Sequence, residues 1–267
     1  MSRLRQIRLL LYVVVGLASL PALFAQTSEE EVRARDTASR LANLQMKWGP
    51  SMNSQGVEIR FKQVSERTEE GHRAILYRLF GAGFPKNTKF EVEETSLDLQ
   101  VTPVLDGVTL DDSGQAICLG TPDTCGDATK PNNPINFVVV AGKGEPKRFS
   151  FISEDGAIKA FAYVIPFPIT GKDASCTVEV ILLSENADAV LIHGTGFGPS
   201  TMVHRVASSE SEKQEANIQP DENGEFYDVE FPSVKGKTEG TATTVFHSNE
   251  CSPSVSYSWG EGSYQLQ

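Results

Sequence analysis

Apolar and polar residues alternate with a period of two over most of the chain after residue 57. The clearest run is residues 254–259, in which Val255, Tyr257 and Trp259 alternate with serines. Such alternation places one side of a strand in a core and the other side in water. Runs of this kind are short, are separated by clusters of Gly, Pro, Asn and Asp, and have almost no helical pattern between them. The pattern therefore predicts an all-β protein built of antiparallel sandwiches.

A short phrase occurs twice. Residues 81–88 read GAGFPKNT and residues 194–201 read GTGFGPST, and each follows an apolar strand. A second phrase follows at nearly the same distance in both places, DDSG at 111–114 and DENG at 221–224. Ser-Gly and Asn-Gly form turns because glycine adopts a positive φ without a steric clash.

The repeat predicts two copies of one unit, at residues 57–183 and 189–261. The first copy is longer, and its extra length falls at about residues 118–147, a stretch rich in Pro, Asn, Gly and Lys. We expect a loop insertion or an added hairpin there. The short connection at residues 184–188 predicts modules that stack end to end with limited swing.

A strand that runs into Gly-x-Gly-Phe and then reaches a threonine resembles the IPT/TIG type of immunoglobulin-like domain. In that family the glycines permit a tight bend and the phenylalanine fills the core of a small sandwich. The resemblance implies two tandem immunoglobulin-like domains. It implies less about function, since family members occur in receptors, sugar-processing enzymes and bacterial surface proteins. The residues to which it assigns structural roles are Gly81, Gly83, Phe84, Gly194, Gly196 and Phe197.

The N-terminus predicts export. Arg3, Arg5 and Arg8 precede an uncharged run over residues 9–25, which is typical of a signal peptide, and we expect cleavage after Ala25. The alternative is an uncleaved segment that anchors the protein in a membrane, although Pro21 should end a helix there. Residues 26–56 then form a leader, part of which is predicted to be helical up to about residue 47.

The net charge disfavours two classes of partner. The whole chain carries a formal charge of −11, and removal of residues 1–25 takes away three arginines and leaves −14. A strongly acidic surface repels phosphate backbones and anionic lipid surfaces. Nucleic acid is therefore not an expected partner. Because the apolar N-terminal run is expected to be removed, no integral membrane span is expected after processing.

Four cysteines in an exported protein permit disulfides. Cys118 and Cys125 enclose a turn-rich loop and are predicted to pair. Cys176 and Cys251 occupy comparable places near the ends of the two copies, so we expect each to be a free thiol in its own core, with an inter-domain bond as the alternative.

The sequence contains no recognisable catalytic pattern. Dinucleotide and phosphate loops, a serine-hydrolase elbow and a zinc-protease helix are all missing, and the four histidines are scattered. The acidic run at residues 221–225 could supply calcium ligands, but its spacing fails the helix-loop-helix pattern, so we expect a solvated hairpin turn. We therefore predict no cofactor, no metal and no enzymatic activity.

One apolar stretch is a candidate contact surface. Residues 165–169 read IPFPI, and two prolines cannot serve a central strand, so this stretch should lie on an edge or in a loop. Ile165, Pro166, Phe167 and Pro168 are the candidates for contact with a partner. Packing against the neighbouring module is the alternative.

The predicted function is that of an exported, non-enzymatic protein whose tandem immunoglobulin-like modules act as a spacer or a protein-interaction unit at the cell envelope. Its partner would be a protein or a glycan of the envelope. A carbohydrate-binding accessory protein is the alternative, and a hydrolase with an unrecognised site comes third.

Overall fold

The computed structural model of the protein describes residues 21–118 and 133–267. The chain divides into two compact units, residues 1–40 and residues 41–267. The second unit contains every described strand and is mostly β, as the alternating pattern predicts. The predicted signal peptide lies largely outside the described residues.

The leader is helical. Helix α1 (Pro21–Lys47) is followed by a short 3₁₀ turn at Pro50–Met52. Pro21 is the first described residue of this helix, a position that tolerates proline because the N–H groups of the first helical turn are unpaired. In the part of the chain that the structure describes, no helix is both long enough and apolar enough to cross a membrane.

The first set of strands forms one pair of sheets around a core. One sheet has the order β1-β2-β7 and the other the order β6-β5-β4-β3-β8-β9. Their apolar sides meet in a single cluster that includes Leu79, Phe90, Phe149 and Phe151. We call this pair the first sandwich. Its strands are β1 (Glu58–Glu69), β2 (His72–Ala82), β3 (Phe90–Thr95), β4 (Val101–Leu110), β5 (Ala116–Cys118), β6 (Asn133–Pro134), β7 (Phe137–Val140), β8 (Lys147–Ser153) and β9 (Lys159–Val164).

The remaining strands form the second sandwich, with sheets β10-β11-β12-β15 and β14-β13-β16-β17. Its core includes Val178, Ile192, Phe246 and Trp259. All described pairings in both sandwiches are antiparallel. The strands are β10 (Ile169–Asp173), β11 (Cys176–Leu182), β12 (Val190–Thr195), β13 (Val203–Ser209), β14 (Glu212–Ile218), β15 (Phe226–Glu230), β16 (Glu239–His247) and β17 (Ser254–Gly260).

The structure places the division between the sandwiches earlier than the sequence predicts. Strands β10 and β11, expected in the first copy, pair with each other, and residues 177–182 of β11 pair with residues 190–195 of β12. Residues 184–188, expected to link the modules, instead join two neighbouring strands of one sheet. The actual connection between the sandwiches is residues 165–168, between β9 and β10. A hairpin and a domain linker look alike in sequence, and only the pairing distinguishes them.

The two sandwiches repeat the same topology. In the first sandwich β1 pairs with β2, β3 pairs with β4 and β8, and β8 pairs with β9. In the second sandwich β11 pairs with β12, β13 pairs with β14 and β16, and β16 pairs with β17. Strand β15, which pairs with β12, corresponds to β5 and β7 together, and β7 pairs with β2. The extra length of the first copy therefore interrupts one strand. Its residues 119–132 lie outside the described part of the chain.

The repeated Gly-x-Gly-Phe phrase bends the chain in the same way in both copies. Gly83 has a φ of +79° and Gly196 a φ of +76°. A Cβ on Gly83 would collide with the carbonyl oxygen of Gly56, and one on Gly196 would collide with that of Ser175. Gly56 stands just before β1 and Ser175 just before β11, the strands that pair with β2 and β12. Glycine is therefore required by the close approach of the backbone as well as by φ.

The two phenylalanines of the phrase differ in burial. Phe197 is 3% exposed and packs 5.0 Å from the ring of Phe226. Phe84 is half-buried, with its ring 5.1 Å from Phe90 and 5.5 Å from Phe151. Both contribute to the core of their sandwich, and the second copy encloses its ring more completely.

The second repeated phrase forms a turn that lies against the first. Asp221 Oδ1 accepts hydrogen bonds from the N–H groups of Asn223 and Glu225, both at 2.9 Å. Asp111 Oδ1 does the same for Ser113 and Gln115, at 2.8 and 2.9 Å. These bonds explain the aspartate at the first position, because its carboxylate holds the turn closed.

The cysteine expectations are partly wrong. Cys176 and Cys251 form a disulfide with a Cα–Cα distance of 6.2 Å, and both lie in the second sandwich. They are therefore neither free thiols nor the ends of an inter-domain bond, because β11, which begins at Cys176, does not belong to the first copy. Cys118 is disulfide-bonded, and its predicted partner Cys125 lies outside the described residues.

We expect alanine at Gly83 or Gly196 to lower the free energy of unfolding by at least about 3 kcal/mol, since the Cβ meets backbone that cannot move aside. Gly107 and Gly236 are matched controls, with φ of +69° and +81° and open space around the Cβ position. Alanine there should cost only about 1 kcal/mol for the positive φ. Urea unfolding measures all four variants, and equal losses at clashing and open positions would contradict the close approach.

Reduction of the Cys176–Cys251 bond should lower the free energy of unfolding by about 4 kcal/mol, because the bond closes a long loop in the unfolded chain. The measurement is urea unfolding with and without dithiothreitol. In a Cys176→Ala/Cys251→Ala variant the effect of the reductant should be much smaller. Alkylation of both thiols in the unreduced, unfolded protein would show the pairing to be wrong.

Candidate binding cleft

The connection between the sandwiches is packed rather than exposed. Phe167 is 7% exposed and belongs to the first core, and the guanidinium of Arg73 lies 4.8 Å from its ring centre. The Phe167 carbonyl accepts a hydrogen bond of 2.8 Å from the Gly144 N–H. Ile165 and Pro166 are half-buried and Pro168 is exposed. This stretch therefore does not form the exposed contact surface expected of it, and packing, the alternative, explains its apolar residues.

A loop of the first sandwich, residues 141–147, holds the junction together. Its buried Glu145 accepts hydrogen bonds from Gly142 N at 2.8 Å and from the Tyr264 hydroxyl at 2.7 Å. The other carboxylate oxygen lies 2.8 Å from Lys147 Nζ. Burial and the bond to Glu145 raise the pKa of Tyr264 above its ordinary value. The carboxylate thus connects the loop to the segment that follows β17.

Two further contacts cross the junction. The Gly144 carbonyl accepts a hydrogen bond of 2.9 Å from Leu182 N, at the end of β11. Leu97, in the turn between β3 and β4, is 8% exposed and packs in the core of the second sandwich, whereas Leu99 of the same turn is 42% exposed. The two sandwiches therefore share side chains as well as hydrogen bonds.

A cleft of about 490 Å³ opens beside this junction. Its apolar floor comes from residues of the second core or packed against it, Ile169, Leu182, Ala187 and Tyr257. Its rim is polar and includes Ser256, Ser258, Ser263, Gln265, Lys143 and Glu185. The volume and the arrangement of polar groups around an apolar floor are typical of ligand sites. A second cleft, of about 350 Å³, lies between the Gly81–Phe84 phrase and its Asp111 turn.

The rim of the larger cleft carries polar groups without protein partners. Lys143 and Glu185 are exposed, and neither has an ion-pair partner within 4.0 Å among the residues that the structure describes. Ser263 Oγ is buried and forms no hydrogen bond within the described residues. A buried hydroxyl without a partner is costly, so a group that bonds to it would stabilise the site.

A network of charged residues lies behind the floor. The Tyr257 hydroxyl donates to Glu230 Oε2 at 3.0 Å, and the Thr244 hydroxyl donates to the same oxygen at 2.9 Å. Arg205 Nη1 donates to Glu230 Oε1 at 3.3 Å and to Asp228 at 2.7 Å. Burial raises the pKa of Glu230 and of Asp228, although Arg205 opposes the shift. Such a network specifies one arrangement of the surrounding strands.

His193 and the 221–225 turn carry further titratable side chains of the second sandwich. His193 stacks on Tyr227 with ring centres 4.4 Å apart, and its Nε2 lies 3.5 Å from Glu225. Backbone hydrogen bonds within the turn lower the pKa of Asp221. No group of three or more His, Cys, Asp or Glu residues in the described part of the chain could hold a metal ion. The acidic turn at 221–225 is thus explained by the turn geometry.

The aromatic residues that could stack on a sugar are mostly in the core. Trp259 is 1% and Tyr257 4% exposed. The Trp259 N–H donates to Ser209 Oγ at 2.9 Å, which satisfies its one polar group. Neither ring is available as a platform for a ligand.

No model of a known protein family matches the chain, and no curated protein is similar to it. The IPT/TIG resemblance therefore stays a prediction, while the all-β tandem architecture is observed.

Sequence reasoning did not find the cleft. Its residues come from the 141–147 loop, the start of β10, the turn after β11, strand β17 and the segment after it. They meet only because the sandwiches pack as they do. A signal was nevertheless present in β17, where Ser254, Ser256 and Ser258 leave an uncharged polar face on an edge strand.

The contribution of Glu230 to the free energy of unfolding should fall as the pH rises above about 4. The unfolded chain releases this proton near the ordinary glutamate pKa, while the folded protein holds it to a higher pH, so stability is lost until Glu230 has ionised. Glu230→Gln should flatten the pH dependence measured by urea unfolding between pH 4 and 7. The exposed Glu222→Gln is the control, and an unchanged slope in Glu230→Gln would contradict the raised pKa.

Proposed function

We propose that the protein is an exported, non-enzymatic spacer and protein-interaction unit of the cell envelope. In this proposal the two immunoglobulin-like sandwiches act as one rigid body that presents a binding surface at a fixed place. The junction carries the proposal, because Glu145, Gly144 and Leu97 connect the sandwiches through both hydrogen bonds and core packing. A flexible pair of modules would not need a fully bonded, buried carboxylate at its hinge.

Two observations support export. The Cys176–Cys251 disulfide fits an oxidising compartment outside the cytoplasm. Arg3, Arg5 and Arg8 followed by an uncharged run are typical of a signal peptide. We propose that residues 1–25 are removed and that the mature protein lies in the periplasm or outside the cell.

The alternatives have weaker support. A carbohydrate-binding protein would be favoured by exposed aromatic rings, but Tyr257 and Trp259 are core residues. A hydrolase would need a positioned acid, base or nucleophile in a cleft, and the rim of the larger cleft is made of serines, glutamines, one lysine and one glutamate. We therefore favour the protein-interaction unit over both alternatives.

The rigid junction predicts a single narrow distance between the sandwiches. Spin labels on Lys62→Cys in β1 and Ser211→Cys before β14 report this distance by double electron–electron resonance. We expect Leu97→Ala combined with Tyr264→Phe to broaden the distribution, because these changes remove a core contact and the bond to Glu145.

Leu99→Ala is the matched control for Leu97→Ala, since Leu99 lies in the same turn and is exposed. It should leave the distribution narrow. A broad distribution in the unmodified protein would overturn the rigid spacer. Turnover of a glycoside or ester that is lost on replacing one acidic residue would overturn the non-enzymatic assignment.

A further inference from the structure

The floor and rim of the 490 Å³ cleft lie between two strands that belong to different sheets. Among the described residues, strand β10 pairs only with β11, and β17 pairs only with β16. Each therefore has a free edge, although at the end of β17 the Gly260 N–H donates a hydrogen bond of 2.7 Å to the Asn186 carbonyl. The cleft is lined by Ile169 at the start of β10 and by Ser256–Ser258 in β17.

The strands touch at one end and diverge at the other. A Cβ on Gly171 would collide with the Ser254 carbonyl, so the two backbones are in contact there. Near the same point, the Ser252 N–H donates to Asp173 at 2.6 Å. The cleft occupies the other end of the strand pair. It is therefore lined by residues of both strands beyond their point of contact.

The free edge of β17 offers backbone hydrogen-bonding groups to the cleft. In an antiparallel pair, successive residues direct their N–H and C=O groups alternately toward the partner strand and away from it. Strand β17 pairs with β16 through Thr243 to Ser256 and Thr241 to Ser258. Of the three consecutive residues that line the cleft, at least one must direct its backbone groups into it.

The rim supplies charges of both signs. Lys143 from the first sandwich and Glu185 from the second are exposed and without an ion pair among the described residues. A ligand with donors and acceptors along a chain and charges of both signs matches this rim. A nucleotide or an anionic lipid does not match, because its charge has one sign and the protein is acidic.

We propose that this cleft binds an extended peptide segment of a partner protein by β-strand addition to the free edge of β17. One apolar side chain of the peptide enters the floor formed by Ile169, Leu182 and Ala187. A basic residue of the peptide lies near Glu185 and an acidic one near Lys143. Main-chain bonds supply affinity, and the floor and charges supply specificity. The inference deepens the proposed interaction unit and rests on it only in taking the partner to be a protein.

Selection of random unconstrained peptides of twelve residues against the purified protein tests the proposal. We expect enriched peptides with one apolar residue between oppositely charged ones. Fluorescence anisotropy of a labelled enriched peptide then gives its Kd. Ser258→Trp should abolish binding because it fills the cleft from an exposed position, whereas Ser254→Trp, on the same face of β17 but outside the cleft, should leave binding unchanged.

The charges give a second, more specific test. Lys143→Glu and Glu185→Lys should each weaken the enriched peptide by about tenfold. The double reversal should bind the same peptide with its two charges exchanged. Lys172→Glu, an exposed change on β10 outside the cleft, is the control.

Backbone pairing has its own signature. Peptide binding should slow amide hydrogen exchange in residues 256–258, which binding through side chains alone would not do. The proposal would be overturned if no enriched peptide lost its binding on Ser258→Trp. It would also be overturned if a saccharide bound the protein and Ser258→Trp abolished that binding. Neither result affects the distance measurement on the junction, so this proposal and the rigid spacer fail separately.

Discussion

The arrangement of the whole second unit depends on the loop at residues 141–147. Gly144 donates to the Phe167 carbonyl and accepts from Leu182 N, so one residue joins the linker and β11 to the first sandwich. Its φ is +73°, and an added Cβ would lie 3.1 Å from Ile169 Cδ1 and from the Val180 carbonyl oxygen, so there is little room for a side chain. If this residue moved, the wall of the cleft that carries Lys143 would move away from the wall that carries Ser258. The shape of the cleft therefore depends on the contacts that this loop makes.

Two kinds of buried charge accompany this junction. Glu145 is bonded to a lysine, a hydroxyl and a backbone N–H, so its burial leaves neither carboxylate oxygen without a partner. Arg148 is completely buried and bonds to Gln45 Oε1 at 2.7 Å, but its Nη2 has no partner among the described residues. Burial lowers its pKa to about 10. The first group stabilises the junction. The second joins the end of α1 to the turn after β3, because Arg148 donates to Gln45 and, through Nη1, to the Ser96 carbonyl at 3.4 Å.

The sequence was informative where structure is local and misleading where it depends on pairing between distant strands. Period-two alternation and the Gly-x-Gly-Phe repeat predicted the strands, the sandwiches and the tight bends at Gly83 and Gly196, because each follows from a few neighbouring residues. The assignment of β10 and β11 could not be read in this way, since it depends on the pairing of β11 with β12, which in turn pairs with β15. The error about Cys176 followed directly from that assignment. Phe167 was misplaced for a related reason, since a proline-flanked apolar residue looks the same in an exposed loop and in a packed linker.

The edges of the sheets distinguish the cleft from the rest of the surface. An unpaired edge invites association, and proteins protect such edges with charges and bulges. Strand β1 does so with a run of charged residues and a bulge between Gln63 and Ser65, and β14 does so with Glu212, Lys213 and Glu215. Strand β17 is an edge as well, yet it contains no charged residue. Its protection comes instead from its position, with β10 in contact at one end and the cleft at the other. A free edge that lacks charge and opens only into this cleft is accessible to a single extended chain but not to the flat edge of another sheet.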